Sequence, residues 1–185
     1  MQLPGYLGLS YLASELFLTF TKRSRSAAPS RDAQSWRLLW VVITLSIFLG
    51  IFVARNYPAG LLPHRHFIAI IGVAVFVVGV ILRLYAIFQL GRFFTVNVAL
   101  ASDHRLVEAG PYRLVRHPSY TGSLLAFLGF ALTIGNWLTV VVIMLPIFLA
   151  FVYRMKVEER ALLAGLGENY AAYLRRTKRL IPGIY

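Results

Sequence analysis

Three groups of residues in this 185-residue chain combine types and spacings that can do chemistry. The first is Arg116-His117-Pro118-Ser119-Tyr120-Thr121-Gly122. A residue before proline is pushed out of helical dihedrals and proline favours the first helical position, so His117 ends a loop and Pro118 starts a helix. The backbone N–H groups of Ser119 and Tyr120 then fall among the unsatisfied donors of a helix N-terminus, a natural place for an anionic group. The competing reading is an interfacial anchor, with Arg116 reaching lipid phosphates, Tyr120 in an aromatic belt and His117 merely hydrogen-bonded. The second group is Arg154, Glu158 and Glu159. Helical spacing puts Arg154 and Glu158 on one face and turns Glu159 about 100° away. Adjacent acids at the end of an apolar helix suit a polar cavity or a cofactor better than lipid, although Lys156 and Arg160 make a surface charge cluster the alternative. The third group is Asn97, then Asp103-His104-Arg105-Leu106-Val107, then Gly110-Pro111-Tyr112. Apolar Leu106, Val107 and Tyr112 in a polar loop cover something, either a ligand or the neighbouring helices.

The elements that must position these groups are membrane helices. Hydrophobic residues make up 58% of the chain and charged ones 14%, against about 25% charged in an ordinary soluble domain. Apolar runs place five spans at roughly Leu3 to Phe20, Trp36 to Ala54, Phe67 to Gln89, Ser119 to Ile134 and Trp137 to Tyr153. The fold class is therefore an all-α integral membrane protein with about five transmembrane helices. Only Gly135 and Asn136 separate the last two spans, which reads as a tight helical hairpin, and Gly-Asn suits its turn because both residues tolerate positive φ. Pro146 should kink the fifth span. Arg83 lies within the third span, where it either snorkels, the commoner behaviour, or faces inward to pair with Glu158 or Glu159.

Charge sets the orientation. The net charge is +12, which in a soluble protein would suggest nucleic acid. Here the segments after spans one, three and five carry five, four and seven basic residues, while the opposite side has only Arg55 and Arg65. That asymmetry puts the N-terminus outside and the C-terminus in the cytoplasm, and nucleic-acid binding is not expected. Span one lacks the basic n-region and cleavage site of a signal peptide. Lys22 to Ser35 reads as a polar, Ser-rich loop. The segment with Leu162, Leu163, Leu166, Tyr170, Tyr173 and Leu174 reads as an interfacial helix lying on the membrane. With no cysteine, disulfides, thiolate metal sites and cysteine nucleophiles are excluded, and no metal site is expected. Residues 1–90 form three helices with a basic loop, and residues 91–185 hold a cofactor loop, the hairpin and a C-terminal helical segment.

The ordered series His-x-Leu-Val, Gly-x-Tyr, Arg-His-Pro-Ser-Tyr-x-Gly, Arg-x-x-x-Glu-Glu, Gly-x-x-Tyr-x-x-Tyr and a terminal Arg-Leu-Ile-Pro spans Gly91 to Tyr185. In this order it resembles the isoprenylcysteine carboxyl methyltransferase family, integral membrane enzymes that transfer a methyl group from S-adenosylmethionine. The resemblance implies cofactor contacts at Asn97, His104, Arg105, Leu106, Val107, Tyr112, His117, Pro118, Ser119, Tyr120 and Glu158. It implies Arg154 as the substrate-binding residue, with Arg154 and Glu158 as the catalytic pair. It also implies carboxyl methylation of a lipophilic, isoprenylcysteine-like acceptor that enters sideways from the bilayer, while the cofactor enters from the cytoplasm. Two rival readings stay open at this level. Phospholipid N-methyltransferases carry a similar Glu-Glu end, and NADPH-dependent sterol reductases share a His-Pro-x-Tyr-x-Gly element and a similar terminus, although those reductases usually have more spans.

Overall fold

The computed structural model describes residues 2–21, 31–91 and 106–185, and within them the chain is helical with no strand longer than an isolated bridge. Among the described residues six α-helices follow in order: α1 (Gln2–Thr21), α2 (Arg31–Asn56), α3 (Arg65–Leu90), α4 (Pro118–Ile134), α5 (Trp137–Leu166) and α6 (Glu168–Arg176). Among the described residues, three helices are long and apolar enough to cross a membrane: Gln34–Asn56, Arg65–Leu90 and Trp137–Leu166. The shorter Pro118–Ile134 is apolar as well. Many large apolar side chains on these helices point outward, including Phe48, Phe52, Phe67, Ile70 and Phe88, as a lipid solvent requires.

Helix α3 lies against α4, and α2 against α5. Glycines set the first pairing. A Cβ at Gly122 would stand 2.6 Å from both the Arg83 backbone N and the Gly79 carbonyl oxygen, and one at Gly72 would stand 2.8 Å from the Gly129 carbonyl oxygen. Gly72 and Gly79 on α3 face Gly122 and Gly129 on α4, each pair seven residues apart, so the backbones touch along a seam of small residues. This contact brings Arg83 to the first turn of α4. Helix α1 docks through Tyr11, whose ring packs 5.0 Å from Phe127 and 6.3 Å from Phe76. Between α2 and α5, the Thr139 hydroxyl donates to the Gly50 carbonyl at 3.1 Å.

Several expectations change in detail. Helix α5 continues through Pro146 and runs thirteen residues past Tyr153, to Leu166, so Arg154, Glu158 and Glu159 sit inside it rather than at its end. Residues Arg31 to Ser35 belong to α2, not to a loop, and Ser35 is buried. In the two-residue connection Gly135 adopts φ 74°, but Asn136 stays extended at φ −137°. Asn136 instead caps α5 with its side chain, accepting from Thr139 N at 3.2 Å, and its Nδ2 donates to the Tyr57 carbonyl at 3.0 Å. Tyr170 and Tyr173 are buried against protein, which corrects the picture of an interfacial helix lying on the membrane.

The C-terminal segment is tied to the start of α4 by Glu159. Its carboxylate accepts from Arg116 Nε at 2.9 Å and from Arg179 Nη2 at 2.7 Å, with His117 Nε2 at 3.3 Å. Backbone bonds from Arg116 N to the Lys178 carbonyl (2.8 Å) and from His117 N to the Arg179 carbonyl (3.0 Å) run alongside. Hydrogen bonds to Glu159 raise the Arg179 pKa, so this guanidinium stays charged.

Two predictions follow from this packing. Gly122→Ala places a methyl group against α3 backbone and should destabilise the protein by about 1–3 kcal/mol, whereas Gly5→Ala, with open space around it, should be neutral or mildly stabilising. Thermal unfolding in detergent checks the pair, and equal effects would contradict the seam. Glu159→Gln leaves the half-buried Arg116 and Arg179 without their counter-charge and should cost about 1–3 kcal/mol. Hydrogen exchange should then show the Arg116 and His117 amides losing protection, and unchanged protection would contradict the clamp.

Candidate functional site

At the clamp end of the bundle, α4 and α5 bring their polar residues together. His117 caps α4 and Pro118 is its first helical residue, as the X-Pro geometry requires. Tyr120 N, however, donates to the His117 carbonyl at 3.0 Å, so it is not an open donor, which corrects the expectation for that N–H. What Tyr120 offers instead is its hydroxyl, which donates to Glu158 Oε2 at 2.6 Å and accepts from Arg154 Nε at 3.4 Å. Arg154 and Glu158 share a face of α5, one turn apart, and meet at this phenol.

Glu158 is half-buried, and its Oε1 has no hydrogen-bond partner among the described residues. Arg154 is buried at 3% exposure, and its Nη1 donates to Ser35 Oγ at 2.6 Å across to α2. Behind Tyr120 the His117 ring stacks at 5.4 Å and 14°, with its Nε2 turned to Glu159. Glu158 and Glu159 thus do different work. The first faces Tyr120 and Arg154, while the second is consumed by the clamp.

Arg83 does not snorkel. Its guanidinium makes a two-point ion pair with Glu15 of α1, at 2.6 and 2.8 Å, and its Nη1 donates to Ser123 Oγ (2.6 Å) and Ser119 Oγ (3.1 Å). It therefore pairs with neither Glu158 nor Glu159. The pairing keeps a charge inside an apolar helix satisfied on all sides. A cavity opens between α1, α2, α4 and α5, with Arg83 of α3 reaching its wall. Arg83, Glu15, Ser123, Tyr120 and Arg154 form its polar walls, and Trp36, Leu39, Trp40, Phe127 and Phe151 its apolar ones.

Of the other predicted contacts, Leu106 and Val107 are half-buried, and Tyr112 is buried within a 3-10 turn over Gly110–Arg113. The Tyr112 carbonyl accepts from the Tyr173 hydroxyl at 2.6 Å. Burial, with Glu158 adding to it, pushes the Tyr112 phenol up, and burial raises Tyr173 to about 12, so both stay neutral. Ser119 and Pro118 are buried beneath Arg83 and α3, while Asn97, His104 and Arg105 lie outside the described residues. Sequence reasoning missed Glu15 and Ser35. The only available signal for Glu15 was an acid inside an apolar run, which demands a cationic partner. Ser35 carried none, because its contact with Arg154 joins residues 119 positions apart.

Residues 70–164 match the model of the isoprenylcysteine carboxyl methyltransferase (ICMT) family. A probable protein-S-isoprenylcysteine O-methyltransferase of Oryza sativa subsp. indica is 30% identical over 125 residues, covering 66% of this chain and 65% of the relative. A protein-S-isoprenylcysteine O-methyltransferase of Tribolium castaneum is 31% identical over 147 residues, covering 78% of this chain and 52% of the relative. Among solved structures, a eukaryotic intramembrane Ras methyltransferase ICMT superposes with a TM-score of 0.66 at 29% identity, covering 84% of this chain and 54% of that one. The chain thus spans less than two thirds of the length of these relatives. None of these relatives is named as a phospholipid methyltransferase or a sterol reductase. With apolar helices of spanning length, the ordered motifs of α4 and α5 and these matches in agreement, the chain is an integral membrane protein that belongs to the isoprenylcysteine carboxyl methyltransferase family.

Proposed function

We propose that this chain is a membrane methyltransferase that moves a methyl group from S-adenosylmethionine to the carboxylate of a lipophilic, isoprenylcysteine-like acceptor. The observation that carries this reading is a single cavity with two chemical characters. Arg154 and Tyr120 stand on its polar side and Trp36, Leu39, Trp40, Phe127 and Phe151 on its apolar side, so it suits a molecule with an anionic head and an apolar body.

Arg154 is an always-charged planar fork, and Ser35 and Tyr120 fix its direction from two sides. It can hold a carboxylate by two parallel hydrogen bonds and aim one oxygen. A carboxylate is already ionised at neutral pH, so no general base is needed. The protein's contribution is orientation together with removal of water by the aromatic walls.

The residues present fit a nucleoside-type cationic donor. Glu158 offers one carboxylate oxygen outside its bond to Tyr120, a suitable neighbour for an ammonium or sulfonium, and Leu106 and Val107 are half-buried apolar surface suited to an adenine. When bound, S-adenosylmethionine supplies an electrophilic methyl group on sulfur. Asn97, His104, Arg105, Tyr112 and the His117 to Tyr120 turn complete the donor site in this reading. Its chemistry lies in residues 91–185, while residues 1–90 supply walls and the Ser35 and Glu15 supports.

For topology, α1 and α4 cross the bilayer along with α2, α3 and α5, and α4 and α5 form a hairpin. Basic residues put the C-terminus and the site at the cytoplasmic face and the N-terminus outside. The donor then arrives from water and the acceptor through the lipid-facing side.

Two substitutions separate the roles. Arg154→Lys keeps the charge and loses the fork. It should lower kcat at least tenfold while donor affinity changes less than threefold. Glu158→Gln removes charge at nearly constant shape and should weaken S-adenosylhomocysteine binding about tenfold in calorimetry without loss of folding. Wild-type donor affinity in Glu158→Gln, or equal loss of donor affinity in both variants, would contradict the assignment.

A further inference from the structure

Tyr170 stands out among the aromatic residues of α6. It is 2% exposed, yet its hydroxyl has no hydrogen-bond partner, the only such buried side-chain atom among the described residues. Its neighbour one turn on behaves in the ordinary way. The Tyr173 ring lies 5.9 Å away and its hydroxyl is committed to the Tyr112 and Val115 carbonyls, at 2.6 and 3.4 Å. A buried hydroxyl left unmatched is destabilising, and native proteins avoid it unless water or a ligand completes the bond.

The surroundings of Tyr170 favour a ligand. Tyr170 lies within electrostatic reach of Glu158, Glu159 and Arg116, and its ring packs at a 51° tilt against Tyr173, whose hydroxyl donates to the Tyr112 carbonyl. Burial and the two acids keep this phenol protonated, so at neutral pH it is a hydrogen-bond donor seeking an oxygen. Glu158 and Tyr112 are residues that the methyltransferase reading gives to the donor; Tyr170 lies within electrostatic reach of the first and is linked to the second through Tyr173.

We propose that the Tyr170 hydroxyl is a binding group for the methyl donor, giving its hydrogen bond to an oxygen of the donor's ribose or amino-acid portion. The proposal rests on the methyltransferase reading above and adds to it a residue on α6, outside the segments already assigned to the donor.

Tyr170→Phe removes the oxygen and keeps the ring. In the detergent-purified full chain, the variant should bind S-adenosylhomocysteine about 5- to 20-fold more weakly by calorimetry. The melting temperature of the ligand-free protein should hold or rise, because an unmatched polar group has been deleted. Tyr173→Phe, whose hydroxyl is matched, should instead lower that melting temperature. Affinity within twofold of wild type for Tyr170→Phe would overturn the proposal, and a lowered melting temperature alongside it would identify a buried water as the partner. Weaker binding with a lowered ligand-free melting temperature would also overturn it, in favour of a structural role. If wild-type protein itself fails to bind S-adenosylhomocysteine, the methyltransferase reading fails first and takes the proposal with it.

Discussion

A charge placed inside an apolar helix bundle must be matched there, because the bilayer has no water to solvate it. Most of the site's architecture depends on how this chain meets that demand. Arg83 is matched by Glu15 and two serines, and the match joins α1, α3 and α4. Glu159 is matched by Arg116 and Arg179, and the match fastens the C-terminal segment to the start of α4. Arg154 is held by Ser35 and Tyr120, which ties α5 to α2 and α4. Each polar contact is therefore also a tertiary link, and together they converge on Tyr120.

The close approach of α3 and α4 makes this convergence possible. With lipid tails as apolar as the side chains, helices gain little from hydrophobic burial against one another, and small residues that let backbones touch become the main source of packing energy. Here the seam at Gly72, Gly79, Gly122 and Gly129 has a second effect. It brings the Arg83 guanidinium within reach of Ser119 and Ser123 on the turn that carries Tyr120. Packing and site geometry are thus set by the same residues.

Local chemistry was legible in the sequence where it depended on neighbours along the chain. His117 and Pro118 start α4 because of the dihedral limits around proline, and the spacing of Arg154, Glu158 and Glu159 correctly separated the two acids onto different faces. The helices themselves were legible from uncharged runs, although α5 extends well beyond its apolar stretch because Lys156, Arg160 and the acids are good helix formers. What could not be read were contacts between distant segments. Arg83 has several acids in the chain as potential partners, and only the docking of α1 on α4 brings Glu15 to it. Tyr170 and Tyr173 show helical spacing that fits a lipid-facing stripe equally well, and only the fold reveals protein above them.

The central claim is that the Arg154 side of the cavity orients a carboxylate for methylation. The most direct measurement incubates the detergent-purified protein with S-adenosylmethionine labelled at the methyl group and N-acetyl-S-farnesylcysteine, then treats the product with base. The account predicts label released as methanol, the signature of a methyl ester, with none formed when the acceptor's carboxylate is already blocked as an amide. Label that resists base or that accumulates in phospholipid, or no transfer by protein shown to be folded, would contradict it.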